Sequence, residues 1–244
     1  MNQIKMLLGV GLFLFSSSSF AHDCNFGDPK ITGKAHSNGG GFVADGALVA
    51  NTVYVDADSS ICPGSVLTDQ VRVVGHSMVR NSKLHDRVVV AYGAAVFDGS
   101  EIFDDVQISG GAAVVGSLLK NNVVVSGGAA LDYMTATDNA IIVGSSVVGN
   151  SPQSPTMKIS GHAVISHASV VGIANVRDYA QILGTAVITG DGAGIEVYEN
   201  ARIMDQAWLK VAAKIHGDAV IRCKTIITNG ADISTGDYCR DDRH

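Results

Sequence analysis

Residues 197–234 read "VYENARIMDQAWLKVAAKIHGDAVIRCKTIITNGADIS", and their regularity decides the fold. Aliphatic side chains fall at Val197, Ile203, Leu209, Ile215, Ile221, Ile227 and Ile233. Four residues after most of them comes a small one: Ala201, Ala207, Ala213, Ala219, Thr225 and Ala231. The period is six. An α-helix advances about 100° per residue, so a six-residue repeat steps round by about 240° and makes no continuous apolar stripe. A strand alternates with period two, which divides six, but strands usually turn after about 3 to 10 residues. A short strand followed by a corner, repeated, satisfies both constraints.

The register extends upstream. Calling the aliphatic site position 1, it falls at Val43, Val49, Val55, Ile61, Leu67, Val73, Met78, Leu84, Val90, Val96, Ile102, Ile108, Val114, Leu119, Val125, Leu131, Ala136, Ile142 and Val148. It resumes at Ile159, Val164, Val170, Val176, Ile182 and Ile188 before Val197. This reading needs four steps of five residues among 32 sites. Position 5 is small or apolar nearly throughout, as at Ala47, Val53, Ser59, Ser65 and Val71. Positions 3 and 4 carry corner dipeptides: "DG" at 45 and 98, "DD" at 104, "GG" at 110 and 127, "NN" at 121 and "DN" at 138. Gly, Asn and Asp tolerate positive φ or bond their own backbone, as tight corners require. A short period sustained this long signals a solenoid.

These repeats resemble the hexapeptide-repeat, left-handed parallel β-helix family over roughly residues 43–237. The resemblance implies an all-β, single-stranded triangular solenoid with three hexads per coil, position 1 pointing inward, and about ten coils. Two insertions, after Val148 (149–158) and around 192–196, then leave the same corner, between faces 1 and 2. The expected layout is a signal peptide at 1–21, an N-terminal cap at 22–42, the β-helix at 43–237 and a tail at 238–244, with segments 22–42 and 235–244 covering the ends.

The first 21 residues combine Lys5, an apolar run from Met6 to Phe15, and a Ser-x-Ala ending at Ala21, the pattern of a secretory signal. Removing Lys5 leaves 16 basic against 23 acidic residues, a charge of −7, with no basic patch for nucleic acid. The expected location is secreted, periplasmic or cell-surface, with no membrane span. Four cysteines in an oxidising compartment predict disulfides. Cys62 sits near the start of the prism and Cys24 in the segment that covers it, while Cys223 sits at a late corner and Cys239 in the tail. The expected pairs are Cys24 with Cys62 and Cys223 with Cys239.

The chemical candidates are histidines. His162 and His167 lie five apart, and γ-class carbonic anhydrases of this architecture carry two zinc histidines at that spacing. Catalytic zinc needs three protein ligands, and no third histidine precedes His162 back to His85. Both therefore read as weak metal candidates at different corners, and no cofactor is expected. Hexapeptide acyltransferases use a histidine as general base, a role open to His76, His85 or His216. Outward positions on face 1 are small and apolar over most of its length, and face 2 is not. Phe97, Val115, Val147 and Val171 are expected to form a self-association surface, with a homotrimer as the implied assembly. The resulting expectation is a non-enzymatic structural or binding solenoid of the cell envelope, with an envelope ligand as partner. The alternative is a hexapeptide-class enzyme, zinc-dependent or an acyltransferase, with its site at a subunit interface.

Overall fold

The computed structural model describes Cys24 and residues 31–150, 157–228 and 230–240. The expected signal peptide and residues 151–156 of the first insertion lie outside the described residues. The elements are all strands, most of two or three residues, separated by corners. Among the described residues no helix is long and apolar enough to cross a membrane.

The strands fall into three faces of a left-handed parallel β-helix. Face 1 runs from strand Phe42–Ala44 to strand Ile226–Ile227, face 2 from Leu48–Val49 to Ala231–Ile233, and face 3 from Tyr54–Val55 to Asp237–Arg240. Each strand pairs in parallel register with the strand one coil on: Val96 opposes Val114, Ile102 opposes Leu119, and Val90 opposes Ile108. Face 3 contains eleven strands, so the prism has eleven coils. At ~4.8 Å per coil it is about 50 Å long.

Position 1 points inward on every face. Ile61, Leu67, Val73, Leu84, Ile108 and Ile142 are fully buried, and the small position 5 residues such as Ser59, Ser65, Ala112 and Ala163 pack beside them at no exposure. Each fully buried Val, Leu or Ile contributes roughly 1.5–3 kcal/mol. The hexad is closed by a left-handed residue at the corner. Asp69, Asp86, Asp104, Asn121 and Asp138 all have φ between 59° and 69°, as the corner dipeptides predict.

Two of the four short steps fall one residue later than the sequence pattern places them. Val79, not Met78, stacks between Ile61 and Val96, and Ile165, not Val164, stacks on Ile142. The reason is that the missing residue is taken from a corner, not from a strand. After Val79, Val114 and Leu131 the chain turns from face 1 to face 2 on a single left-handed residue, Asn81, Gly116 or Tyr133. The fourth short corner uses His167, φ 56°, between faces 3 and 1. Face 1 therefore presents Met78 and Arg80 outward at its third coil instead of Ser77 and Val79.

The insertions leave the corner expected of them. The first joins strand Val147–Gly149 on face 1 to strand Met157–Ile159 on face 2. The second lies within strand Val187–Val197, which runs through that same corner. There the chain approaches itself closely: a Cβ on Gly190 would lie 1.8 Å from the Ile173 carbonyl oxygen, so only glycine fits.

Both expected disulfides are formed, Cys24 with Cys62 and Cys223 with Cys239. Strand Gly33–Ala35 pairs antiparallel with Phe42–Ala44 over the start of face 1. Buried His36 donates from Nε2 to the Val53 carbonyl at 3.0 Å. The other end differs from expectation. Residues Asp237–Arg240 do not fold over the last coil but extend face 3 as its final strand.

The corrected register separates neighbours. Ile165→Ala should cost about 2–5 kcal/mol in chemical denaturation, whereas Val164→Ala, half-exposed, should cost on the order of 0.5 kcal/mol. Equal losses would return residue 164 to the core.

Candidate functional site

In-register stacking makes every corner position a row running along the prism. The corner between faces 2 and 3 is the most ordered. Its left-handed residues form a carboxylate ladder in which each acid accepts the backbone N–H of the residue stacked on it. Asp104 N–H donates to Asp86 Oδ2 at 3.1 Å, Asn121 N–H to Asp104 Oδ2 at 3.0 Å, and Gly161 N–H to Asp138 Oδ2 at 3.0 Å. Farther along, Glu199 N–H donates to Asp178 at 3.2 Å and Gly217 N–H to Glu199 at 2.6 Å. The donated N–H groups hold Asp138 below the usual carboxylate range, with Thr137, Asn121 and Lys120 adding to the effect against desolvation. These acids are committed to the backbone, which is turn chemistry.

The row just before the ladder points outward from the edge of face 2 and contains Thr68, His85, Phe103, Arg177, Tyr198 and His216. Thr68 and His85 are one coil apart, which brings Thr68 Oγ1 to 3.0 Å from His85 Nδ1. The same hydroxyl lies 2.6 Å from Asp69 Oδ2. A hydroxyl has one proton, and the carboxylate is the nearer and stronger acceptor, so Thr68 donates to Asp69. Thr68 Oγ1 must then accept from His85, which assigns the proton to Nδ1 and leaves the Nε2 lone pair free. Asp69 is held below its ordinary pKa chiefly by the Thr68 hydroxyl, then by the Asp86 N–H, with His85 adding a smaller electrostatic part against desolvation. Phe103 stacks on the imidazole, ring centres 5.2 Å apart and planes 10° from parallel, and fixes its plane. Beside it on face 2, Lys83 and Glu101 pair at 2.8 Å.

His216 is built differently. Its Nε2 is 2.9 Å from Asp232 Oδ1 and its Nδ1 faces Glu199 Oε2 at 3.7 Å, so each ring nitrogen lies beside a carboxylate. Tyr198 stacks on it at 4.8 Å, and Arg177 lies 4.0 Å from the Tyr198 ring centre. His76 is exposed at a left-handed corner position, φ 61°, between faces 3 and 1. Of the three base candidates, His85 alone combines a stacked ring with a nitrogen that faces no carboxylate among the described residues.

His162 and His167 are not brought together. His162 stacks on Tyr179 at 4.9 Å and sits 3.4 Å from Asn139 on the face 2–3 corner. His167 contacts Ser166 at 2.9 Å on the face 3–1 corner. Among the described residues no three His, Cys, Asp or Glu groups form a cluster able to hold a metal ion.

Phe97, Val115 and Val171 lie in one outward row of face 1 and Val147 in the parallel row beside it. Val147 is 44% and Val171 42% exposed. The first coils of this face are already covered, since Cys24 and Ile31 pack there with Phe42, Cys62, Met78 and Phe97. Asp132 interrupts the row, and burial raises its carboxyl pKa.

Sequence reasoning named His85 but not its partners. The signal was present, because Thr68 and His85 are 17 residues apart, one coil containing a single short corner. Asp69 follows from the corner rule.

No family model matches the chain, and no curated protein matches it. Solved structures do, two LpxA structures among them. The UDP-N-acetylglucosamine O-acyltransferase LpxA from Moraxella catarrhalis RH4 is 15% identical, with 72% of this chain and 68% of that one covered and a TM-score of 0.29. LpxA from Acinetobacter baumannii is 15% identical, with 77% and 71% covered and a TM-score of 0.31. The expectation of a non-enzymatic structural or binding module is corrected against these neighbours. Both are acyltransferases, and the non-enzymatic reading is not carried further. The likeness is one of architecture, and the choice of residues rests on the geometry above.

The carboxylate ladder sets a pH dependence. The ladder acids Asp69 and Asp138 have lowered folded-state pKa values, as do Asp105 and Asp237, which are paired with Arg87 and Arg222. The stability they contribute is fully present above their unfolded value of about 3.9 and is lost as pH falls through the lower folded values. Asp138→Asn keeps a residue that tolerates positive φ and removes the charge. Its melting temperature should lie below the parent's at pH 7, and the gap should close as pH drops below about 4. A gap that stayed constant with pH would show that the charge at position 138 contributes nothing.

Proposed function

We propose that this hexapeptide-repeat β-helix protein is an enzyme that transfers an acyl group to a hydroxyl or amine of a ligand lying on face 2, with His85 as general base. The observation that carries the reading is the Asp69–Thr68–His85 relay, which points a free imidazole nitrogen outward in a fixed plane. Nε2 takes the proton of the acceptor hydroxyl as its oxygen attacks the acyl carbonyl. The imidazolium then returns that proton to the departing thiolate or alkoxide. Thr68 and Asp69 are positioning residues: they hold the tautomer and lie beside the positive charge that forms on the ring.

Face 1 supports the quaternary part of the reading. A threefold interface is heterologous, so face 1 of one protomer meets a different surface of the next. Face 2 adjoins face 1 across the corner that carries both insertions, and a neighbouring protomer seated on Val115, Val147 and Val171 supplies a second wall near that corner. Two disulfides support an exported protein, since such bonds persist in oxidising compartments. In this reading residues 1–21 are the signal that exports it.

The test is release of free thiol from an acyl thioester offered with a panel of sugar and amine acceptors. His85→Ala should lower the rate by about 10²–10⁴-fold. Thr68→Val should lower it less, with melting temperature nearly unchanged in both. Equal rates for His85→Ala and the parent, or no transfer to any acceptor, would overturn the proposal. Separately, Val115→Lys with Val171→Lys should convert the parent's assembly to monomers in light scattering without loss of the β spectrum. A parent already monomeric at high concentration contradicts the face 1 interface.

A further inference from the structure

The two disulfides differ in setting. Cys24 and Cys62 are 5% and 0% exposed and pack with Ile31, Phe42, Ala44, Met78 and Phe97. Cys223 is half-exposed and Cys239 is exposed, on the last two strands of face 3. Thiol–disulfide exchange needs a thiolate to reach a sulfur atom, so access decides which bond reacts first.

Cys223 also departs from the corner chemistry around it. It takes the left-handed position, φ 63°, that Gly144, His167, Gly184 and Asp205 fill in the four preceding coils. Gly and Asp suit positive φ, and cysteine has no such advantage. What it supplies there is the bond to Cys239.

That bond ties down a strand with few other holds. All four residues of Asp237–Arg240 are exposed. Tyr238 stands in the row where Ile203 and Ile221 are fully buried, yet it is 41% exposed. The strand pairs with Val220–Cys223, and around that pairing Val220 N–H donates to the Gly236 carbonyl at 2.9 Å and Lys224 N–H to the Arg240 carbonyl at 3.1 Å. The Thr225 hydroxyl donates to the Tyr238 carbonyl at 3.1 Å and accepts the Arg240 N–H at 2.9 Å. The Arg222–Asp237 ion pair is open to solvent on both sides, and such pairs contribute little. A segment with so little buried apolar surface opens before the core does.

We infer that Cys223–Cys239 is a redox switch: a dithiol reductant opens it while Cys24–Cys62 stays closed, and opening releases Asp237–Arg240 from face 3. One thiolate of the reductant attacks the exposed Cys239 sulfur, the S–S bond breaks, and Cys223 leaves as a thiolate that takes up a proton. The second thiol of the reductant then attacks the mixed disulfide and frees Cys239. Two electrons and two protons pass to the protein, and the reductant becomes the disulfide. In the released state Val220 and Lys224 lose the carbonyls that accept their N–H groups, and Ile221 loses Tyr238 above it. Face 3 then ends on an open strand edge, which is closed in the oxidised protein.

Graded dithiothreitol on the full chain, with alkylation, peptide mapping and hydrogen exchange read in parallel, tests this. Cys223 and Cys239 should be alkylated at a reductant concentration about tenfold lower than Cys24 and Cys62. In that window residues 220–224 should exchange rapidly while residues 200–210 stay protected, and reoxidation should restore the protection. Cys239→Ser removes the bond and keeps the corner residue, so it should show the same rapid exchange with no reductant present. Alkylation of all four cysteines together, or of Cys24 and Cys62 first, overturns the selectivity. Residues 220–224 still protected after Cys223 and Cys239 are alkylated, or in Cys239→Ser, overturn the release.

Discussion

The whole structure depends on parallel, in-register pairing of each coil with the next. That pairing stacks every hexad position on its equivalent ~4.8 Å away. Inward, it turns one aliphatic residue per hexad into a continuous core. At the face 2–3 corner it stacks left-handed acids so that each neutralises the N–H above it. Outward, it brings side chains distant in sequence into contact, and the His85 site is one such contact between adjacent coils. Fold, corner chemistry and candidate site are three consequences of a single register.

This explains what was legible in the sequence. The period of six excluded a helix and required strands with corners, and Asp, Asn and Gly at positions 3 and 4 marked where φ turns positive. Cysteine placement was legible because each pair joins an end segment to the coil it lies against. The register failed at Met78 and Val164 because a shortened hexad can lose its residue from either of two places, and an aliphatic residue stood at both. Only the pairing of Val79 with Val96 and Ile165 with Ile142 decides between them. The C-terminal segment was misjudged for a related reason. Its broken hexad looked like a cap, but the backbone of Asp237–Arg240 still pairs with Val220–Cys223.

The site was half legible. Histidines can be picked out by type, but their state depends on which groups the coil above or below presents. His85 and His216 occupy the same row and differ in that respect. One meets a hydroxyl already committed to a carboxylate and keeps a free nitrogen; the other lies between two carboxylates. Residue type and spacing do not specify these surroundings, which is why they left three candidates open.

The central functional claim is the tautomer of His85, and long-range proton–nitrogen NMR correlation on the imidazole measures it directly. The account predicts a protonated Nδ1 and a pyridine-like Nε2 at a pH where the ring is neutral, with that pattern lost in Thr68→Val. A ring protonated on Nε2, or one averaging equally between the two forms in the parent protein, would contradict it.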